Sequence, residues 1–140
     1  MNEYSIVDIS LGMKESFSVT VTDEMMKSFL DITGDVNPLH VSNGFARGRG
    51  FDSRVAYGML TASFISTLGG CYIPGKYCLI QGVEIKFAKP VFVGDILEVS
   101  GEVSKVDYDL RYIEVKVIIK NQHNQKVLRG ILKAVVIDGK

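Results

Sequence analysis

Apolar and polar positions change their period along this 140-residue chain. Ser16-Phe17-Ser18-Val19-Thr20-Val21-Thr22 alternates with period two, which predicts a short strand. Thr22 then suits a helix N-cap, and Asp23 and Glu24 suit the positive end of a helix dipole. Met25, Met26, Phe29, Leu30 and Ile32 supply an apolar stripe until Gly34 stops the helix. Ser42 can cap a short helical turn through Phe45 and Ala46, and Arg47 to Arg54 reads as a glycine-bearing loop. Val55 to Leu68 is the most apolar helical segment. Its Met59, Leu60, Phe64, Ile65 and Leu68 are interleaved with Gly58, Ala62, Ser63 and Ser66, so it reads as a buried helix with room for close approach. Gly69-Gly70 is expected to end it.

Beyond that point the period is two. Tyr77 to Phe87 is a predicted strand with Leu79, Gln81, Val83, Ile85 and Phe87 on one face. Lys89 to Asp95 breaks the pattern as a connection. Ile96 to Val106, Arg111 to Lys120 and Lys126 to Ile137 give three more strands. In the second of these three, Ile113, Val115, Val117 and Ile119 alternate with Glu114, Lys116 and Lys120. Asp107-Tyr108-Asp109 and Gln122-His123-Asn124-Gln125 are short enough for antiparallel hairpins, with His123 exposed in a turn. The expected order is strand, helix, turn, buried helix and then four meandering strands, an α+β layer in which an antiparallel sheet wraps a helix. Gly82 and Gly101 inside strands would permit the bending. No linker or internal repeat divides the chain, so one domain over residues 1–140 is expected.

Composition narrows the class. The chain is 46% hydrophobic and 23% charged, as in ordinary globular domains. Sixteen basic residues balance sixteen acidic ones, which leaves no electrostatic footprint for nucleic acid or an anionic membrane. No apolar run is long enough to span a bilayer, and Met1-Asn2-Glu3-Tyr4 opens no secretory signal, so a cytoplasmic location is expected. Cys71 and Cys78 match no common metal spacing and read as reduced apolar residues.

The candidate chemistry lies in Gly34-Asp35-Val36-Asn37-Pro38-Leu39-His40. Gly34 can take the left-handed conformation, and Pro38 biases Asn37 away from helix, so the run reads as a helix end, a sharp turn and a new start. Two readings fit it. Asp, Asn and Pro cluster in turns for local reasons alone. Alternatively, the turn folds Asp35 and His40 toward one point, where an acid and an imidazole form a general acid/base pair around a water. The three arginines between Arg47 and Arg54 fit a solvated surface and a phosphate grip equally.

Two blocks resemble the MaoC-like family of hot-dog proteins, whose best-known members are (R)-specific enoyl-CoA hydratases. One is Thr33-Gly34-Asp35-Val36-Asn37-Pro38-Leu39-His40 and the other Ala56-Tyr57-Gly58-Met59-Leu60-Thr61-Ala62-Ser63. A weaker third is Phe87-Ala88-Lys89-Pro90-Val91 followed by Gly94-Asp95, and the resemblance extends from about Phe17 to Val136. It implies a hot-dog fold, in which a curved antiparallel sheet wraps a long central helix, here Tyr57 to Leu68. It implies addition of water to trans-2-enoyl thioesters of coenzyme A or acyl carrier protein, or the reverse dehydration. It also implies a homodimer. By the same resemblance Asp35 and His40 hold and activate the water, Asn37 supports them, and the Gly58 N–H binds the thioester oxygen. Substrate contacts are implied at Tyr57, Met59 and Ser66.

These residue types suit that chemistry. Hydration places negative charge on the thioester oxygen, and a helix N-terminus offers unpaired N–H groups there. His40 as the base on water, with a partly buried Asp35 orienting it and delivering the proton, is the favoured assignment; the sequence does not distinguish it from the reverse. No metal or redox cofactor is needed. Many family members carry His where this chain has Tyr57. Ser66 either lines the acyl channel or bonds back to the Ala62 carbonyl. Two other functions remain open, a hot-dog thioesterase and a non-catalytic acyl-thioester binding module. The lack of a carboxylate in Tyr57 to Leu68 disfavours the first, and the retained Asp35, Asn37 and His40 disfavour the second.

Overall fold

A computed structural model describes residues 1–139. A short 3-10 turn, Ile6–Asp8, precedes strand β1, Lys14–Thr20. Helix α1, Asp23–Thr33, starts where its sequence signals say: the Thr22 side chain accepts from Met25 N at 3.1 Å. It stops at Gly34, whose φ of 71° closes the end with an N–H bond to Leu30 O. Two short helices follow, α2 (Pro38–Val41) and α3 (Asn43–Gly48). Ser42 caps α3 through Phe45 N, as expected, and α3 runs into the segment expected to be loop.

The central helix α4, Gly58–Thr67, does not end at Gly69-Gly70. It continues as a π-turn over Leu68–Tyr72. Gly69 is the reason: a Cβ there would meet Leu132 Cδ2 at 3.0 Å and Cys78 Sγ at 3.2 Å, so the glycine lets the helix lie close on the sheet instead of breaking it.

Four further strands complete the chain: β2 (Cys78–Phe87), β3 (Ile96–Asp107), β4 (Tyr112–Lys120) and β5 (Lys126–Val136). The sheet is antiparallel in the order β1-β3-β4-β5-β2. Only β3, β4 and β5 meander. The expected four-strand meander is corrected here, because β2 pairs with β5 and its connection to β3 crosses the sheet. Backbone bonds pin that connection, from Ala56 N to Val91 O at 2.7 Å and from Val21 N to Asp95 O at 2.9 Å.

Period-two patterning sets the inner face. Ile113, Val115, Val117 and Ile119 of β4 are fully buried with Leu97, Val99, Leu128 and Leu132 beneath Ile65 and Leu68 of the helix segment. The start of strand β2 departs from its expected face, while Val83, Ile85 and Phe87 keep it. A bulge between Ile80 and Gly82 shifts the register, so Ile80 instead of Leu79 or Gln81 joins Val83, Ile85 and Phe87 beside the helix. Gly101 accommodates the wrap, since a Cβ there would lie 2.7 Å from Val115 Cγ1 and 2.9 Å from Leu68 Cδ2. A curved antiparallel sheet around one helix is the hot-dog arrangement that the resemblance implied.

Candidate active site

The turn between α1 and α2 is built from its own side chains. Asp35 Oδ1 accepts from Asn37 N at 3.1 Å, and Asn37 Oδ1 accepts from Leu39 N at 2.9 Å, capping α2 with Pro38 in its first turn. Asn37 thus holds the turn together and is not itself among the groove-lining residues. Thr33 Oγ1 donates to Phe29 O at 2.7 Å and receives Asp35 N at 3.3 Å.

His40 sits in the last turn of α2. Its Nδ1 lies 2.7 Å from the Val55 carbonyl oxygen. A carbonyl oxygen only accepts, so Nδ1 carries the hydrogen and neutral His40 presents the lone pair of Nε2. The acceptor is itself fixed. Val55 N donates to Leu39 O at 3.0 Å, and Val55 bridges Phe92 across the crossover connection.

Asp35, His40, Tyr57, Gly58, Met59 and Ser66 line one groove of about 720 Å³ between the helices and β2. Asp35 is exposed at its rim, which corrects the partly buried carboxylate expected from the sequence: the segment turns outward at Gly34 and leaves the carboxylate in solvent. Gly58 is the first residue of α4, and its N–H donates to no described residue. Met59 is 60% exposed at the groove. Ser66 makes no bond to the Ala62 carbonyl among the described residues, so the back-bonding alternative falls. Tyr57 lines the groove but is only 2% exposed, and its hydroxyl donates to the Asp35 main-chain oxygen at 2.6 Å.

Sequence reasoning missed two contributors. Thr33 ties the Asp35 N–H, and its place directly before Gly34 was the available signal. Phe87 packs its ring over Gly58, 3.2 Å from where a Cβ would stand. It was placed on the correct strand face, but the pairing of that face with the helix start is tertiary. The arginines are engaged within the chain. Arg54 pairs with Asp23, Arg47 Nε donates to Asp52 O at 3.1 Å, and the Arg49 guanidinium lies 5.0 Å from the Phe45 ring centre. These contacts brace the Arg47–Arg54 segment.

The groove is mostly apolar, and Asp35, His40 and Gly58 add a carboxylate, an imidazole and an unpaired backbone N–H to its lining. This suits an acyl group whose carbonyl needs a hydrogen-bond donor. The chain belongs to the MaoC-like family: the MaoC like domain matches residues 9–127. It is 36% identical over 99 residues to the (R)-specific enoyl-CoA hydratase of Aeromonas caviae, covering 71% of this chain and 72% of that protein. It is 35% identical over 99 residues to the 3-hydroxybutyryl-CoA dehydratase of Methylorubrum extorquens, covering 71% of this chain. The chain spans 63% of the length of that dehydratase. The solved (R)-hydratase of A. caviae, described as involved in PHA biosynthesis, superposes with a TM-score of 0.87 at 29% identity, over 91% of this chain and 97% of that one. No helix among the described residues is long and apolar enough to cross a membrane.

Proposed function

We propose that this protein is a hydro-lyase that adds water to trans-2-enoyl thioesters of coenzyme A or acyl carrier protein, giving (R)-3-hydroxyacyl products, or runs the reverse dehydration. The observation that carries the reading is the His40–Val55 bond, which leaves Nε2 as a base in the same groove as Asp35 and the Gly58 N–H. In this reading Nε2 takes a proton from water as its oxygen bonds to C3 of the enoyl group. The electron pair of the double bond moves toward the thioester, and the Gly58 N–H stabilises the charge on its oxygen. The Asp35 carboxylate takes that proton from His40 and delivers it to C2, so the sum is one water added.

Residues 1–140 act as one MaoC-like unit in this reading, in the cytoplasm, where unpaired Cys71 and Cys78 suit a reducing compartment. The unit is a homodimer joined through the edge strand β2, whose Leu79 and Val83 are exposed. Light scattering should return twice the 15.4 kDa mass of one chain.

Incubation of the purified protein with crotonyl-CoA tests the reaction. The conjugated enoyl absorbance should fall, and chiral analysis should give the (R)-3-hydroxy product. Release of free coenzyme A instead identifies a thioesterase, and binding without turnover a carrier-recognition module. Asp35→Asn and His40→Ala should each lower turnover by roughly 10²-fold or more, the scale of lost acid–base catalysis.

A further inference from the structure

We propose that Tyr57 is a positioning residue that holds both reacting groups, its hydroxyl fixing the main chain at Asp35 and its ring face fixing the imidazole of His40; this rests on the hydro-lyase reading of the site. Tyr57 is the residue at which α1, the motif turn, α2 and the start of α4 meet. Its ring centre lies 4.4 Å from that of His40 and 4.7 Å from that of Phe29, tilted by 31° and 37°. Imidazole rotation is therefore blocked on one face by the phenol ring and constrained at Nδ1 by Val55 O.

The hydroxyl acts on the other partner. The turn follows Gly34, the backbone position with the least steric restraint. Within the turn, Asp35 N reaches Thr33 Oγ1 at a long 3.3 Å, and Asp35 Oδ1 is engaged with Asn37 N. Among the described residues, the Tyr57 bond at 2.6 Å is the one hydrogen bond that ties Gly34–Asn37 to the central helix. Burial first, and then the nearby Asp35 carboxylate, push the phenol above its ordinary range, so it stays a donor. Its hydroxyl is committed inside the protein, which is why the role is positioning and not contact with substrate.

Tyr57 also occupies the N-cap of α4 without accepting a helix N–H through its side chain.

Tyr57→Phe removes the hydroxyl and keeps the stacked ring. With crotonyl-CoA, kcat should fall about tenfold with KM within about twofold, because misplaced reacting groups lose rate and not binding. In an Asp35→Asn background the same substitution should cost less than about twofold, since the group it positions is already disabled. A raised KM at unchanged kcat, a full tenfold loss repeated in the Asp35→Asn background, or no change at all would each overturn the assignment. Should Tyr57→Phe fail to fold, Tyr57→His, which keeps a flat ring and a donor, should hold kcat within about twofold, and a tenfold loss in that folded variant would overturn the assignment. If the wild-type protein hydrates no enoyl thioester, the reading of the reaction is what fails. The positioning role is then judged by NMR amide exchange at Asn37 in Tyr57→Phe, where faster exchange supports it and unchanged exchange overturns it.

Discussion

Replacing Gly58 by Ala separates the stability of the helix start from its use. The added methyl would stand 3.2 Å from Cε1 and Cζ of Phe87. Optimal carbon–carbon contact is about 3.5–4.0 Å, so relief needs a shift of a few tenths of an ångström. Phe87 is 54% exposed in the single chain, and a small rotation about its side-chain bonds gives that shift. Against that small cost, Ala is favoured over Gly in helices by up to about 1 kcal/mol. The two contributions nearly cancel, and Tm should move by no more than a few degrees. Turnover should respond differently. The methyl and the displaced ring crowd the path by which a thioester oxygen reaches the Gly58 N–H. Removing one oxyanion donor costs about 10²–10³ in kcat, and an obstructed donor should cost roughly 10–100-fold. The assay is crotonyl-CoA hydration beside a thermal melt of the same preparation. A folded Gly58→Ala protein with turnover within about twofold of wild type would refute the oxyanion role.

Three further outcomes are expected. Ser66→Leu should lower kcat/KM for six- and eight-carbon enoyl-CoA substrates more than for the four-carbon one, because Ser66 faces the groove with no bond to Ala62; equal loss at all lengths would remove it from the channel. Gly101→Ala should lower Tm by roughly 3–9 °C in a melt, since its Cβ would overlap fully buried Val115 and Leu68, and overpacking costs about 1–3 kcal/mol. The third outcome concerns Asp138. Its burial opposes ionisation, but the Ile6 N–H and Arg111 outweigh it and hold its pKa below the ordinary carboxylate value. A depressed folded pKa contributes stability that is present above the unfolded value and lost as pH falls through the folded one. The Tm gap between wild type and Asp138→Asn should therefore be full at neutral pH and shrink below about pH 4, as equilibrium melts across pH would check.

Much of this protein is legible in short-range chemistry. Thr22 starts α1, Gly34 ends it and Pro38 opens α2, because capping, left-handed backbone and a missing N–H act within a few residues. The alternation from Ile113 to Ile119 fixes which face of β4 is buried, since side chains of a strand point to opposite sides in turn. The Asp35-to-His40 motif is visible for the same local reason. Strand order is not local. The β2 strand reads like its neighbours, and only the packing of Val91 beside Ala56 and of Asp95 beside Val21 sends the chain across the sheet. Gly69-Gly70 carries a helix-stop signal that close contact with Leu132 and Cys78 overrides. The bulge before Gly82 exchanges one groove wall for another without changing the composition of β2. At the site, the pattern names His40, but the carbonyl of Val55, fifteen residues away, selects which ring nitrogen carries the hydrogen. A hydrogen bond between distant segments forms only after the sheet and helices have brought them together.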